Sequence, residues 1–327
     1  MSLRASEYGE LIFAGVAAVA GASLGVLLPF VGIPVAAMAL GWLAYRRGYI
    51  VSAVVALIAT ALTVPILGSW IPVVFIGPAL LVCGPLAAWV LTRWPALRVI
   101  AVITVAMFAA VVLLQALLAG LEGHTLIAQQ RIDAKQASDV AIAIVKSSGS
   151  ADTRVLKTLA TEYATRIYLL WPTSFAYVAM LVAAITVPVL SRTGRALGRT
   201  VNRLPALADL DLSLHIVWPA IAGLGLVAAA LFLKQPNGLL WAIGANLLWI
   251  TRAPLFAQGL GDFAAFYRKA KVGRLGRAFG FTFLTVSEVF IPSVSVVGLV
   301  DLFANLRRLP RGGAAPSAGL DGGSGSV

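Results

Sequence analysis

Long apolar runs recur along the whole chain, separated by short polar or Gly/Pro-rich breaks. They cover residues 10–28, 31–45, 50–67, 70–92, 97–121, 167–190, 214–233 and 239–266, and a last stretch runs over 278–306. Most approach the roughly 20 residues with which an α-helix crosses a bilayer. No soluble core could bury them all. In lipid every backbone polar group must be satisfied within the structure, which leaves helices for runs of this length. The pattern therefore predicts an all-α fold, a polytopic transmembrane helix bundle of about eight or nine membrane segments. Gly21 and Gly25 in the first run stand at the small-xxx-small spacing that lets helix backbones approach closely. Pro29, Gly32 and Pro34 end that run, Arg46 and Arg47 end the second, Gly68 and Ser69 the third, and Arg93 the fourth. The first run follows a weakly basic start at Arg4, as a signal peptide would. Apolar sequence continues directly beyond it with no clear cleavage site, so it reads as a retained first helix.

Between the fifth and sixth runs the pattern changes. Residues 122–166 carry charges of both signs, with apolar clusters at Leu126 and Ile127, at Val140, Ile142, Ile144 and Val145, and at Leu156 and Leu159. This spacing predicts two short amphipathic helices around the turn Ser147-Ser148-Gly149-Ser150. The organisation that follows is an N-terminal set of membrane segments over 1–121 and an extramembrane amphipathic region over 122–166. A C-terminal set of membrane segments covers 167–311, and a disordered tail rich in Gly, Ser, Ala and Pro covers 312–327.

Composition changes the picture in three ways. Apolar residues make up 60% of the chain and mean hydropathy is +0.93. Charged residues are only 12%, about half of the ~25% usual in soluble domains. There are 25 Lys and Arg against 13 Asp and Glu. That surplus sits at the ends of apolar runs, where positive charge orients membrane helices and meets anionic lipid heads. The expected partners are thus the lipid bilayer with its anionic heads and other membrane subunits, not nucleic acid. With 46–47 in the cytoplasm and alternate threading, 93–98, 192–203 and 268–277 all fall inside, and 122–166 outside. A multi-pass protein of the bacterial inner membrane is the expected localisation. The last stretch leaves two readings open. A single crossing puts Arg307, Arg308 and Arg311 outside; a hairpin turning near Glu288 to Pro292 returns them inside, and the helix-breaking Pro292 favours the hairpin. Finally, one cysteine, Cys83, and two separated histidines, His124 and His215, supply neither a disulfide nor a metal centre, and no cofactor is expected.

Arg252 is the sharpest candidate for chemistry, because an arginine inside an apolar segment needs a partner, water or a ligand. The bland reading is a shorter span from which Arg252 snorkels to the interface. Glu288 is its natural counter-charge: under the single crossing the two could pair, and under the hairpin Glu288 would sit at a surface turn. Asn246 and Gln258 lie six residues before and after Arg252. Six steps of about 100° place them about 120° off its face, so the three form no single polar stripe. In the fourth run Gly77-Pro78 and Gly84-Pro85, with Pro72 upstream, mark a broken helix. Broken helices line substrate sites in transporters but also occur as kinked packing helices. Trp70, Trp94 and Trp171 stand at run ends, as interfacial anchors do. Gly259-Leu260-Gly261-Asp262 lacks the spacing and preceding strand of a nucleotide loop. No zincin, nucleophile-elbow or P-loop motif occurs, so no enzyme activity is expected.

Three short stretches carry a resemblance. They are Asn246-Leu-Leu-Trp-Ile with Phe256-Ala-Gln-Gly-Leu260, Gly298-Leu-Val-Asp301-Leu-Phe-Ala-Asn-Leu-Arg307-Arg308, and Tyr45-Arg-Arg-Gly48. With them the chain resembles the YybS-like family of predicted bacterial membrane proteins, over most of its length in layout. That family looks distantly like the substrate-binding membrane subunits of energy-coupling-factor vitamin transporters. By that analogy alone the resemblance implies small-molecule binding or uptake. A membrane scaffold or assembly factor working through residues 122–166 and the basic loops is the alternative.

Overall fold

The computed structural model describes residues 2–68, 71–147, 153–202, 204–235 and 238–309. Trp70, the side chains of Pro72, Ile144, Val145, Leu156 and Leu159, the turn at 148–150, Arg203 and the 312–327 tail lie outside the described residues. Within the described residues the chain is helical and has no strand. By length and apolar composition six helical stretches can each cross a membrane: Glu7–Gly25, Tyr49–Leu67, Ala96–Leu121, Tyr168–Ala196, Leu214–Phe232 and Leu239–Lys269. A seventh is counted only if the bent pair Arg274–Phe290 and Ser293–Ala304 is one span. Six to seven is fewer than the eight or nine expected. The second run, which ends on Arg46 and Arg47, is not among them, and the described apolar helix of the fourth is the shorter Ile76–Leu91.

The described residues group into two compact units, Met1–Leu204 with Ala229–Asn246, and Pro205–Ala228 with Leu247–Val327. The first begins with α1 (Ser2–Leu27) and α2 (Pro29–Arg47), an antiparallel pair. A Cβ on Gly21 would meet the Ala36 Cβ and backbone nitrogen at 2.8 Å, and one on Gly32 would collide with the backbone of Gly25 and Gly21. The glycine spacing read in the sequence is therefore a close helix crossing, which no larger side chain permits. At the open end Arg46 and Arg47 pair with Glu10 at 3.2 and 2.6 Å, and Arg47 also with Glu7 at 2.8 Å.

Next come α3 (Tyr49–Leu67) and the broken fourth run: α4 (Ile71–Leu81), a π-helical turn (Val82–Leu86) and α5 (Ala87–Leu91). Pro85 has no N–H to donate, and the wider turn absorbs the missing bond. Cys83, Gly84 and Pro85 are buried, and a Cβ on Gly84 would stand 2.8 Å from the Leu40 Cβ. The break is thus packed against α2. Around it Tyr45, Leu91, Val99, Ile103, Val182, Val187 and Leu190 form the core of this unit.

After α6 (Ala96–Leu121), the polar interval forms α7 (Leu126–Ser147) and the start of α8 (Thr153–Ala196). The expected second short helix is instead continuous with the sixth apolar run. No glycine or proline falls between Thr153 and Trp171, so nothing stops the helix at the change of polarity. The loop after α8 returns to the open end of α2. Arg199 donates to the Tyr45 carbonyl, and Asn202 Nδ2 donates to the Trp94 carbonyl at 3.0 Å. Three of the basic breaks read from the sequence, at 46–47, 93–94 and 199–202, thereby meet at one end of the unit.

The second unit holds most of α9 (Val217–Phe232), α10 (Leu239–Lys269) beyond Asn246, α11 (Arg274–Phe290) and α12 (Ser293–Ala304). Val217, Leu255 and Leu302 form its small core. α11 and α12 meet at a bend of 100°, so the last apolar stretch is not one straight helix. α12 runs in the same direction as α10. Ser295 lies beside Arg252, Gly298 against Leu255, Asp301 on Gln258, and Arg307 on Asp262. These four contacts ascend together along both helices, while Val294 against Gly259 shows that the two cross steeply.

Candidate functional site in the C-terminal helices

The tightest contact of this unit is the α10–α12 crossing. A Cβ on Gly259 would strike the Val294 carbonyl, and one on Gly298 would strike the Leu255 carbonyl and the Gly259 nitrogen. Both glycines are required by close backbone approach. Two ionic networks lie on either side of this contact.

The first surrounds Arg252. Its Nε donates to Glu288 Oε1 at 2.9 Å, and its Nη2 donates to the Glu288 backbone carbonyl. Its guanidinium carbon stands 4.8 Å from the centre of the Trp249 ring, within cation–π range. The pair is largely shielded, with side-chain exposures of 19% for Arg252 and 10% for Glu288. Glu288 also caps α12. Its Oε2 accepts the amides of Val294 at 2.9 Å and Ser295 at 3.3 Å, and its Oε1 accepts the Ser295 hydroxyl. The break itself makes this possible. Ile291 is extended, at φ −134° and ψ 120°. Pro292 cannot donate to a continuing helix, and the first free amides of α12 turn back onto the carboxylate that ends α11. The sequence tied the Arg252–Glu288 pair to an unbroken crossing and an exposed Glu288 to a hairpin. The break and the buried pair occur together.

The second network joins Gln258, Asp262, Asp301 and Arg307. Arg307 Nε lies 2.6 Å from Asp262 Oδ1, and its Nη2 lies 2.8 Å from Asp301 Oδ2. Gln258 Nε2 donates to that same Asp301 oxygen at 2.8 Å, and its Oε1 accepts the Leu212 amide at 3.1 Å. Arg307 Nη1 also donates to the Ala208 carbonyl at 3.2 Å. Arg307 is 4% exposed in its side chain, so the network is interior rather than a solvated ion pair. It fixes the end of α12 to α10 and to the segment before α9.

The chain matches the profile of a family described as "Predicted membrane protein (DUF2232)" over residues 16–302. The chain belongs to the DUF2232 family. The YybS-like resemblance is consistent with that membership. No curated protein and no solved structure matches the chain. Membership and the six apolar helices together make this a multi-pass membrane protein.

In this DUF2232 chain two of the resembling stretches, 256–260 and 298–308, are the two sides of one helix contact. Gly259 meets α12, Gly298 meets α10, and Gln258 bonds Asp301. The sequence candidates divide accordingly. Arg252 and Glu288 come together; Gln258 joins the neighbouring network. Asn246 lies in the first unit, where its amide staples α8 beside Pro172. Its Oδ1 accepts the Thr173 amide at 3.0 Å and the Thr173 hydroxyl at 2.7 Å, while its Nδ2 donates to the Leu169 carbonyl at 2.7 Å. Pro78 and Pro85 belong to the packed break of that same unit.

Asp262, Asp301 and Arg307 are not among the candidate site residues of the sequence. Their signal was the face shared by Arg252, Leu255, Gly259 and Asp262. These residues fall within about 80° of one another at about 100° per residue, and α12 offers Ser295, Gly298 and Asp301 at three-residue spacing to meet them.

Proposed function

We propose that this multi-pass protein resides in the bacterial inner membrane with eight or nine membrane segments and serves as a small-molecule-binding or transporter subunit, without enzyme activity. The observation that supports this reading is the state of Arg252. Its guanidinium is backed by the Trp249 ring and braced by Glu288 through Nε and Nη2. Among the described residues Nη1 takes no protein partner. A planar, braced guanidinium with one edge to spare grips a carboxylate of a small molecule. The basic breaks gathered at one end of the first unit are assigned to the cytoplasmic side on the positive-inside rule.

The test is native mass spectrometry of the protein in lipid nanodiscs. A carboxylate-bearing small molecule should remain bound to wild type, be weakened by Arg252→Lys and be lost in Arg252→Ala. Equal retention by Arg252→Ala, or no bound small molecule in wild type, contradicts the reading. The scaffold alternative is favoured by α7, which is not among the apolar spans, packs beside α8 and is tied to α6 by Gln130 donating to Gln115 at 2.8 Å. A protein captured in cells by a photo-crosslinker at exposed α7 positions, with no small molecule at Arg252, would select it.

A further inference from the structure

Three sectors run along α11. Phe281, Leu284 and Glu288 share the face that packs on its own unit: Phe281 meets the Tyr267 ring edge-on at 5.4 Å, Leu284 is buried and Glu288 holds Arg252. Leu275, Phe279, Phe283, Val286 and Phe290 form an exposed apolar stripe. Between these sectors lie Arg274, Ala278, Thr282, Thr285 and Val289, all exposed. At about 100° per residue they fall within an arc of about 80° that borders the packing face. Apart from Val289 this track is small or polar, and it runs beside the seam of α11 with its neighbours.

The track leads to the break between α11 and α12. α11 descends along α10, from Tyr267 near the end of that helix to Arg252 near the middle of its 31 residues. α10 is long and apolar enough to cross a membrane, so the break beside Arg252 lies inside the hydrocarbon layer. Non-helical backbone is tolerated at that depth only where protein or water satisfies it. Yet Phe290, Ile291, Pro292 and Ser293 are all exposed. In a continuing helix the Ser293 and Val294 amides would donate to the Val289 and Phe290 carbonyls. Instead Ser293 donates to the Ile291 carbonyl at 2.6 Å and Val294 to Glu288 Oε2 at 2.9 Å. Two carbonyls at the break are thereby left to accept from outside the helix. The other end of the track is basic. Lys269, Lys271, Arg274 and Arg277 are exposed there, and no acid occurs between Asp262 and Glu288. Arg268 pairs with Asp209 at 3.1 Å. Among the described residues the other four have no carboxylate within ion-pair distance.

We propose that the break is the floor of a water-filled groove, that the track from Arg274 to Thr285 is one wall of it, and that small anions enter it from the α10–α11 turn. Water in the groove satisfies the carbonyls at the break and the spare edge of Arg252. The cations at its mouth raise the local concentration of anions. The apolar stripe faces the acyl chains. The groove leads to Arg252, and its use by a ligand rests on the carboxylate-binding reading of that residue.

The experiment uses single cysteines in the full chain with Cys83→Ala. Thr282→Cys and Thr285→Cys probe the track, Ser293→Cys the floor, and Phe279→Cys and Phe283→Cys the stripe. Each protein is held in lipid nanodiscs and reacted with an anionic and with a cationic methanethiosulfonate of similar size. Lys271→Cys at the turn and Leu113→Cys, exposed on α6, are the water and lipid controls. If Leu113→Cys reacts as fast as Lys271→Cys, the membrane assignment fails and the groove with it. The proposal predicts rates on the track and floor close to that of the turn, and stripe rates close to that of Leu113→Cys. Slow, lipid-like rates at Thr285→Cys and Ser293→Cys overturn the groove, whether lipid or a second protein covers the track. After correction for the reagents' rates with a free thiol, the anionic one should be favoured at Ser293→Cys by about tenfold. The variant Lys269→Gln, Lys271→Gln, Arg274→Gln, Arg277→Gln should lose that preference. No preference, or one for the cation, overturns the anion route. Native mass spectrometry separates this result from the ligand reading. An open groove with no bound small molecule refutes the carboxylate reading alone; a ligand held at Arg252 in a protein whose track is closed to water refutes the groove alone.

Discussion

Removing Glu288 tests the bond that holds the broken helix together. Glu288→Ala deletes the partner of Arg252 Nε and the acceptor for the Val294 and Ser295 amides. Losing one partner of a buried pair costs about 3 to 5 kcal/mol, because the remaining charge is stranded, and losing a helix cap costs about 1 kcal/mol. Two features lower the first figure. Arg252 keeps the Glu288 backbone carbonyl, which survives the substitution, and at 19% side-chain exposure it reaches some solvent or headgroup relief. We expect a loss of about 3 kcal/mol. At roughly 2 to 4 °C per kcal/mol for a domain of this size, that lowers the thermal midpoint in nanodiscs by about 6 to 12 °C. Glu288→Gln keeps the volume and an acceptor but not the charge, and should fall between wild type and alanine. The pairwise part is isolated by a double-mutant cycle with Arg252→Met. Additive losses, with a coupling energy near zero, would show that the pair does not hold the break and that the cap or local packing does.

Gly298→Ala and Gly259→Ala should each destabilise by about 1 to 3 kcal/mol, because the added methyl meets backbone atoms of the facing helix and cannot be accommodated by a rotamer change. Gly225→Ala, whose methyl meets nothing within 4 Å, should be neutral or mildly stabilising in the same melting assay. Asn246→Leu should cost about 1 to 3 kcal/mol by orphaning the Thr173 amide and the Leu169 carbonyl, and it should raise hydrogen exchange locally around Pro172.

The helical, membrane-spanning character was legible because lipid permits so few structures for long apolar runs. The Gly21/Gly25 crossing was legible for a similar reason, since small residues four apart have one common use in membranes. The break at Pro85 was legible as a break, but not the π-helical turn that absorbs it, whose Gly84 packs closely on Leu40 of another helix. Polarity suggested a helix boundary near residue 166 where there is none: α8 continues because polar residues do not stop a helix unless they also cap or kink it. At the candidate site the pairing of Arg252 with Glu288 was visible as charge arithmetic. Its geometry was not, because the cap on α12 exists only once the chain has bent. Comparing Asn246, Arg252 and Gln258 at six-residue steps looked along the wrong row of the helix. The informative row was Arg252, Leu255, Gly259 and Asp262, and only the approach of α12 gives that row its meaning.

The central claim is that α12 folds back to run in the same direction as α10. It is tested most directly by the sidedness of two exposed positions, Lys269 at the end of α10 and Arg308 just beyond α12. Single cysteines there, in a Cys83→Ala background, are labelled with an impermeant maleimide in intact cells and in inverted vesicles. The account predicts that both label from the same side of the membrane, the cytoplasmic one under the orientation proposed above. Labelling from opposite sides would contradict the shared direction of α10 and α12 and, with it, the ascending contacts from Arg252 and Ser295 to Asp262 and Arg307.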